Sequence, residues 1–279
     1  MLVSEIHGKV VPEAQNHEDS LTSATFGHLR YITPRIFWSD LFSRAMSLPD
    51  ETGVEESLGE AIARGCGIEN LSGYTSLRAH FWSKHRQWGE PDLLLCFSGV
   101  GPPLYILVEI KLWSDKSGEN EEDQLVRYLN VLDDLPWLDS LDSTTPVEDA
   151  VRFLIYLTPR ETLSDVRASL GSVPIENQGH ARQRLFRLRW QQVGEVARRV
   201  AKTAPEPTKT ILLDVAQFLH VRGLEPFDGF NRSFDLSDIT PKLAHFYSTP
   251  AHRFYGWSES AALEDLTLYP SPWNQTPTP

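Results

Sequence analysis

Apolar positions recur along the chain at two spacings, and the change from one to the other marks out the elements. Leu21, Ala24 and His28 or Leu29 fall on one face of a helix over residues 16–31, which Asn16 can cap. Pro34 suits the first turn of a second helix over 34–46, and residues 55–64 read as a third. Leu77, Ala79 and Phe81 then alternate as in a strand. Residues 92–97 and 104–110 are two short, nearly continuous apolar runs. They are parted by Ser98-Gly99-Val100-Gly101-Pro102-Pro103, which is strong turn chemistry. Leu125, Leu129 and Leu132 are spaced for the buried side of a helix over 121–133, and residues 151–157 form another buried-type strand ended by Thr158-Pro159. Residues 184–190 alternate again, and helices are expected over 191–202 and 208–222.

The step from the strand 104–110, through the helix 121–133, to the strand 151–157 requires a crossover that covers the sheet. The expected fold class is therefore α/β, with a mixed sheet flanked by helices. No internal repeat is present. The expected organisation is an N-terminal segment (1–15), a core with additions (16–203), a mainly helical C-terminal extension (204–268) and a tail (269–279) with four prolines.

Composition narrows the setting. The 279 residues are 41% hydrophobic and 23% charged, as in ordinary globular chains. No run approaches the ~18 apolar residues that a membrane span needs, and residues 1–13 lack the apolar core of a secretory signal. Cys66 and Cys96 are too few for a disulfide framework or a cysteine-rich zinc site, so a reducing, cytoplasmic setting is expected. The net charge of -12 argues at first against a nucleic-acid partner, but acidity is concentrated in residues 1–150. Residues 151–279 are slightly basic, and 181–202 hold Arg182, Arg184, Arg187, Arg189, Arg198, Arg199 and Lys202 against the single Glu195.

The chemistry concentrates in Glu90-Pro91-Asp92 and Val108-Glu109-Ile110-Lys111. Charged residues inside apolar strands need a reason. Strand alternation points Glu109 and Lys111 the same way. In an antiparallel hairpin centred on Val100 and Gly101, Asp92 falls opposite Glu109, with Cβ atoms roughly 4.5–5.5 Å apart. Two carboxylates that close repel each other, and a hard divalent cation resolves the conflict. Mg²⁺, with Mn²⁺ as an alternative, prefers oxygen ligands and suits metal-assisted hydrolysis. Lys111 can then orient or help deprotonate the attacking water, or stabilise charge on a phosphate. The competing reading is a solvated salt bridge at a strand end.

The pattern Pro91-Asp92 followed by Glu109-Ile110-Lys111 resembles the signature of the PD-(D/E)XK nuclease superfamily, which has the restriction-endonuclease-like fold. The order helix, three strands, helix, strand is similar to that family's core, and Gln124-Leu125-Val126-Arg127-Tyr128 is similar to the Gln-x-x-x-Tyr motif of its RecB and lambda-exonuclease branch. The resemblance covers residues 16–160. It implies that Asp92, Glu109 and the Ile110 carbonyl ligate metal, that Lys111 positions or activates water, and that Glu18 is the acid of the first helix. Gln124 and Tyr128, on one helix face by their spacing, would contact the nucleic-acid backbone or hold the catalytic groups. Packing on the sheet is the alternative for that pair, and the helix dipole alone accounts for Glu18. Arg182 with Arg184, and Arg187 with Arg189, would each line one face of a strand, either to contact phosphates or to guard a solvated edge. The acidic run at 119–123 reads as a solvated helix start.

The resemblance implies a metal-dependent nuclease acting on DNA in preference to RNA, in restriction, anti-phage defence or repair, with a homodimer as one option and no membrane partner. The alternatives are an inactive nuclease-like module that binds DNA or protein, and a glycosidase using the carboxylate pair. A P-loop is absent, Gly256-Trp257-Ser258-Glu259-Ser260 lacks the second glycine of a nucleophile elbow, and His80, His85, His245 and His252 lack zinc-site spacing.

Overall fold

A computed structural model describes residues 18–112, 116–118, 122–142 and 147–225. The expected cap at Asn16, residues 119–121 of the acidic run, His245, His252, the 256–260 segment and everything assigned to 226–279 lie outside the described residues.

Three helices come first: α1 (Glu18–Leu29), α2 (Pro34–Phe42) and α3 (Leu58–Cys66). Glu18 and Asp19 lie in the first turn of α1, where the helix dipole favours acids. The second helix stops short of the expected residue 46 because Met46 is taken into the sheet: its amide donates to the Arg187 carbonyl at 3.0 Å, and it accepts from the Arg187 amide at 2.9 Å. The third starts later than expected, since Ser57 and Glu60 form a reciprocal capping box. It ends at Gly67, whose φ of 66° is left-handed.

The next strands are β1 (Tyr74–Phe81), β2 (Leu93–Gly99) and β3 (Leu104–Ile110), joined antiparallel. Leu93 faces Val108 and Leu94 faces Leu107, so the hairpin has the register its turn predicts. Two helices, α4 (Gln124–Val131) and α5 (Leu135–Leu141), carry the chain to β4 (Val151–Thr158), which lies parallel to β3. After α6 (Leu163–Gly171) and α7 (Ile175–Arg184) comes β5 (Leu185–Arg189), parallel to β4, and then α8 (Trp190–Ala201) and α9 (Thr208–Val221). The five strands lie in chain order in one mixed sheet. The protein is α/β, with helices on both faces.

Strand alternation divides the core in two. Leu93, Leu95, Phe97, Ile106, Val108 and Ile110 pack beneath α1, α2, α8 and α9. Leu94, Cys96, Tyr105, Leu107, Leu154 and Tyr156 pack beneath α4, α6 and α7. Continuous apolar strands are what a sheet covered on both sides requires. In α9, Leu212, Val215, Phe218 and Leu219 are buried in the first of these clusters, together with Val193 and Ala197 of α8. Among the described residues no helix is long and apolar enough to cross a membrane.

One expectation is corrected. Arg182 and Arg184 do not belong to a strand, because sheet pairing begins only where Leu185 meets Leu154. Both arginines end a helix, so their spacing of two does not place them on one face.

Candidate active site

The carboxyl ends of β3, β4 and β5 lie at the same end of the sheet as the start of β2. Asp92 immediately precedes β2, and Glu109 is the sixth residue of β3. Continuing the observed register by one residue brings them opposite each other, on the face covered by α4. Asp92 Oδ2 accepts from the Ile110 amide at 2.7 Å, which locks the start of β2 to the end of β3. Lys111 follows on the same face as Glu109, its Nζ 2.8 Å from Glu109 Oε1. The Lys111 backbone is fixed on both sides: its amide donates to the Leu157 carbonyl at 2.9 Å, and its carbonyl accepts from Trp190 Nε1 at 3.1 Å. Glu18, at the start of α1, reaches across with Oε1 to accept from the Leu112 amide at 2.8 Å. Four residues from three separate stretches of the chain therefore meet at one sheet end.

The electrostatics are unbalanced. Glu109 is 1% exposed. Burial first, and then the neighbouring charge of Asp92, push its carboxyl well above the ordinary range, although Lys111 opposes this. Burial likewise raises Asp92 to about 6, against the Ile110 hydrogen bond and the Lys111 charge. Burial alone would lower Lys111, but Glu109, Glu18 and Asp92 outweigh it and raise its pKa, so it stands as an ammonium. An ammonium has no lone pair with which to take a proton. Its contribution is positive charge and hydrogen-bond donation.

The residues fit an oxygen-ligated divalent cation on one observation. Both carboxylate oxygens of Glu109 are buried and accept no hydrogen bond of good geometry, so the Lys111 contact is electrostatic rather than directional. Two adjoining buried carboxylates that share one ammonium remain undercompensated, which is costly without a further cation. Asp92 and Glu109, with the Ile110 carbonyl between Glu109 and Lys111, would supply the oxygens. Among the described residues no three His, Cys, Asp or Glu side chains form a ready ligand cluster, and Mg²⁺ typically keeps several waters and needs only one or two carboxylates.

Gln124 and Tyr128 are both buried on α4. Gln124 Nε2 donates to Tyr128 Oη at 3.3 Å, and Tyr128 Oη donates to the Glu90 carbonyl at 3.0 Å. The pair thus holds the residue two before Asp92, a positioning contact. Burial and the charges of Glu109 and Asp92 raise the Tyr128 hydroxyl above its usual range, so it remains a neutral donor.

The four arginines part company. Arg184 is buried, with Nη1 at 2.8 and 3.0 Å from the two Asp133 oxygens. Arg187 is half-buried between Glu55 (2.8 Å), Glu161 (3.0 Å) and the Ser47 carbonyl (3.0 Å). Arg182 and Arg189 are exposed. Only Arg189 stands at the site end of the sheet, opposite Thr158 at the close of β4.

Other contributors gave little sign in the sequence. Asp123 is a buried cap rather than a solvated acid: Oδ1 accepts from Leu125 N at 3.0 Å and Val126 N at 3.4 Å, while Oδ2 takes Ser169 Oγ at 3.0 Å and pairs with Lys116. His85 is buried in the loop between β1 and β2. Its Nδ1 accepts from the Gln87 and Trp88 amides at 3.2 and 3.1 Å. The remaining Nε2 proton is assigned from that pattern and donates to Asp134 Oδ2 at 2.9 Å. This loop carries Glu90, Pro91 and Asp92 to the site.

Comparison with protein-family models, curated proteins and solved structures returns no match to this chain.

Proposed function

We propose that the chain is a metal-dependent nuclease of the PD-(D/E)XK type, hydrolysing phosphodiester bonds in DNA. The observation that carries this reading is the meeting of Asp92, Glu109, Lys111 and Glu18 at one sheet end, with the Glu109 oxygens buried and short of partners. An antiparallel run β1–β2–β3 followed by a parallel β4 across a helical crossover supports a restriction-endonuclease-like core.

Asp92, Glu109 and the Ile110 carbonyl would hold Mg²⁺ or Mn²⁺. When bound, the cation supplies Lewis-acid polarisation of the phosphodiester and a more acidic attacking water. In hydrolysis, water oxygen forms a bond to phosphorus, one ester P–O bond breaks, and the departing oxygen gains a proton. Lys111, kept cationic by three carboxylates, offsets negative charge gathering on the phosphate oxygens. Glu18 holds the Leu112 amide and so the chain segment carrying Lys111. Gln124 and Tyr128 hold Glu90 and thereby Asp92. A non-catalytic module finds less support, since nothing in its role requires all four groups together.

The test is cleavage of supercoiled plasmid and linear DNA with Mg²⁺, and again after chelation by EDTA. Cleavage that depends on the cation supports the reading. Absence of cleavage with Mg²⁺ and Mn²⁺ on either DNA, or cleavage indifferent to EDTA, overturns it.

A further inference from the structure

Near the carboxylates, the structure carries aromatic and basic side chains that the reaction above does not use. Tyr31, just beyond α1, is 69% exposed. The Arg30 guanidinium carbon lies 4.8 Å from the Tyr31 ring centroid and 5.8 Å from that of Phe81, the last residue of β1. Arg30 Nη2 also donates to Tyr31 Oη at 2.7 Å. The Phe81 and Trp82 rings follow at 5.5 Å, tilted by 43°. Tyr31, Arg30, Phe81 and Trp82 thus form one run of planar groups. Its inner end is tied to the site through the backbone, where the Trp82 amide donates to the Asp92 carbonyl at 3.2 Å.

Trp82 adopts a φ of 49°, a left-handed conformation that bulky residues avoid. In a regular strand it would point to the face opposite Phe81; the kink sets the two rings side by side instead. Such an outlier is a pointer to function when the surroundings enforce it. They do so here, because the following loop is fastened by His85 to Asp134, and Trp137 Nε1 donates to the Lys84 carbonyl at 3.4 Å. Lys84 and Arg86 of that loop are exposed, and neither they nor Arg30 makes an ion pair with a described residue. An unpaired cation set against flat apolar faces, as Arg30 is, with further exposed cations on the neighbouring loop, complements a chain of phosphates and unstacked bases.

The geometry points to a stacking platform for single-stranded DNA, with an unpaired base on the exposed Tyr31, whose ring is backed by Arg30 and the half-buried Phe81, and phosphates on Arg30, Lys84 and Arg86, leading the strand to Asp92 and Glu109. This rests on the nuclease reading and adds its substrate class: an unpaired end or flap. A duplex keeps its base faces covered and could use the basic groups only.

The experiment measures anisotropy of labelled 20-mers (oligo-dT, a blunt DNA duplex and oligo-U) against the full chain carrying Asp92→Asn, which is expected to bind without cutting. Adding Tyr31→Ala should weaken oligo-dT binding by about 5- to 150-fold, the usual loss of one base–aromatic stack, with duplex binding changed less than twofold. Tyr31→Phe should keep oligo-dT binding within about threefold, since the ring remains. A thermal melt monitors folding, and Arg30→Gln serves as the second variant, expected to weaken oligo-dT more than duplex. Equal losses on oligo-dT and duplex, no loss in either variant, or tighter binding of oligo-U than oligo-dT overturns the platform. So does a parent that binds none of the three, which would leave the patch to a protein partner. Cleavage is scored separately on the wild-type chain. If it cuts nothing while Tyr31→Ala still loses oligo-dT, the nuclease reading fails and the platform stands; normal cleavage with unchanged binding removes the platform alone.

Discussion

Two of the regions that hold buried charge are built on opposite principles. Behind β4 and β5, Arg184 is paired with Asp133 and donates to the Arg152 carbonyl, with only its Nη2 left without a partner, and Arg187 is held by Glu55 and Glu161. Where β2 begins and β3 ends, Asp92 and Glu109 share one ammonium, and Glu109 keeps two oxygens without a well-formed hydrogen bond. Folding alone favours the first arrangement. The second raises both carboxyl pKa values and costs stability at neutral pH. A charge set that the fold does not satisfy is left available for something that binds.

The sharpest break of that comparison is to neutralise the carboxylates. Asp92→Asn or Glu109→Gln should lower cleavage by at least ~10³ while leaving the fold intact or steadier. The sign follows from linkage. Asp92 titrates at about 6 when folded, above its ordinary 3.8, so the native state holds a proton that the unfolded chain has released. Stability contributed this way is present below about pH 4 and is lost as pH rises towards 6, by up to about 3 kcal/mol. Without divalent metal, the wild-type melting temperature should fall over that window, and Asp92→Asn should flatten the fall. Mg²⁺ at pH 7 should raise the melting point of the wild type and not of the variants. Wild-type turnover in either variant would dismiss the metal-site assignment.

Lys111 comes next. It is a poor magnesium ligand, so Lys111→Ala should leave metal and DNA binding nearly unchanged while cleavage drops by ~10²–10³. Lys111→Arg should rescue poorly, because a planar guanidinium does not reproduce a compact ammonium set between strands. Single-turnover cleavage and anisotropy on the same samples separate the steps. Equal losses of binding and cleavage would place the lysine in DNA binding rather than in the reaction step.

The matched region should answer in the opposite way. Arg184→Met keeps the packed stem and removes the charge. It should destabilise by about 1–3 kcal/mol, since Asp133 is half exposed and can be re-solvated. Urea denaturation reads that loss, and cleavage per folded molecule should not change. A fall in cleavage without a fall in stability would return Arg184 to the nucleic-acid interface.

The hairpin was legible in the sequence because its turn residues and apolar runs fix a single register, and a one-residue slip would send every side chain to the wrong face. That register placed Asp92 opposite Glu109. The crossover to β4 was legible for a similar reason, since parallel neighbours need a long connection. The helices α5, α6 and α7 gave no such signal. In α7 Ala181 is the one buried apolar residue, and in α6 only Val166 and Leu170 are, too few for periodicity to register. Their place is set by tertiary contacts such as Arg184 with Asp133, as is that of Arg30 between Tyr31 and Phe81. Asp123 was misread as solvated because its partner Ser169 lies 46 residues away.

Arg189 and Arg187 offer the smallest and most discriminating test. They sit two apart on one strand, yet Arg187 is held by two carboxylates and a carbonyl, whereas Arg189 is exposed and, among the described residues, forms no ion pair. A guanidinium already neutralised within the fold displaces no counterion when DNA arrives, and a free one does. Each released phosphate contact changes the slope of log affinity against log salt by roughly 0.9 for duplex and 0.7 for single strands. Arg189→Gln should therefore flatten the slope by about one such step and weaken binding alike on all sequences. Arg187→Gln should leave the slope where it was and lower the melting temperature, because Glu55 and Glu161 lose their shared partner. Salt titrations of oligonucleotide binding from 50 to 200 mM resolve a difference of that size. If the two variants flatten the slope equally, Arg187 leaves its carboxylates for DNA, and the line drawn between matched and unmatched charge does not hold on this strand.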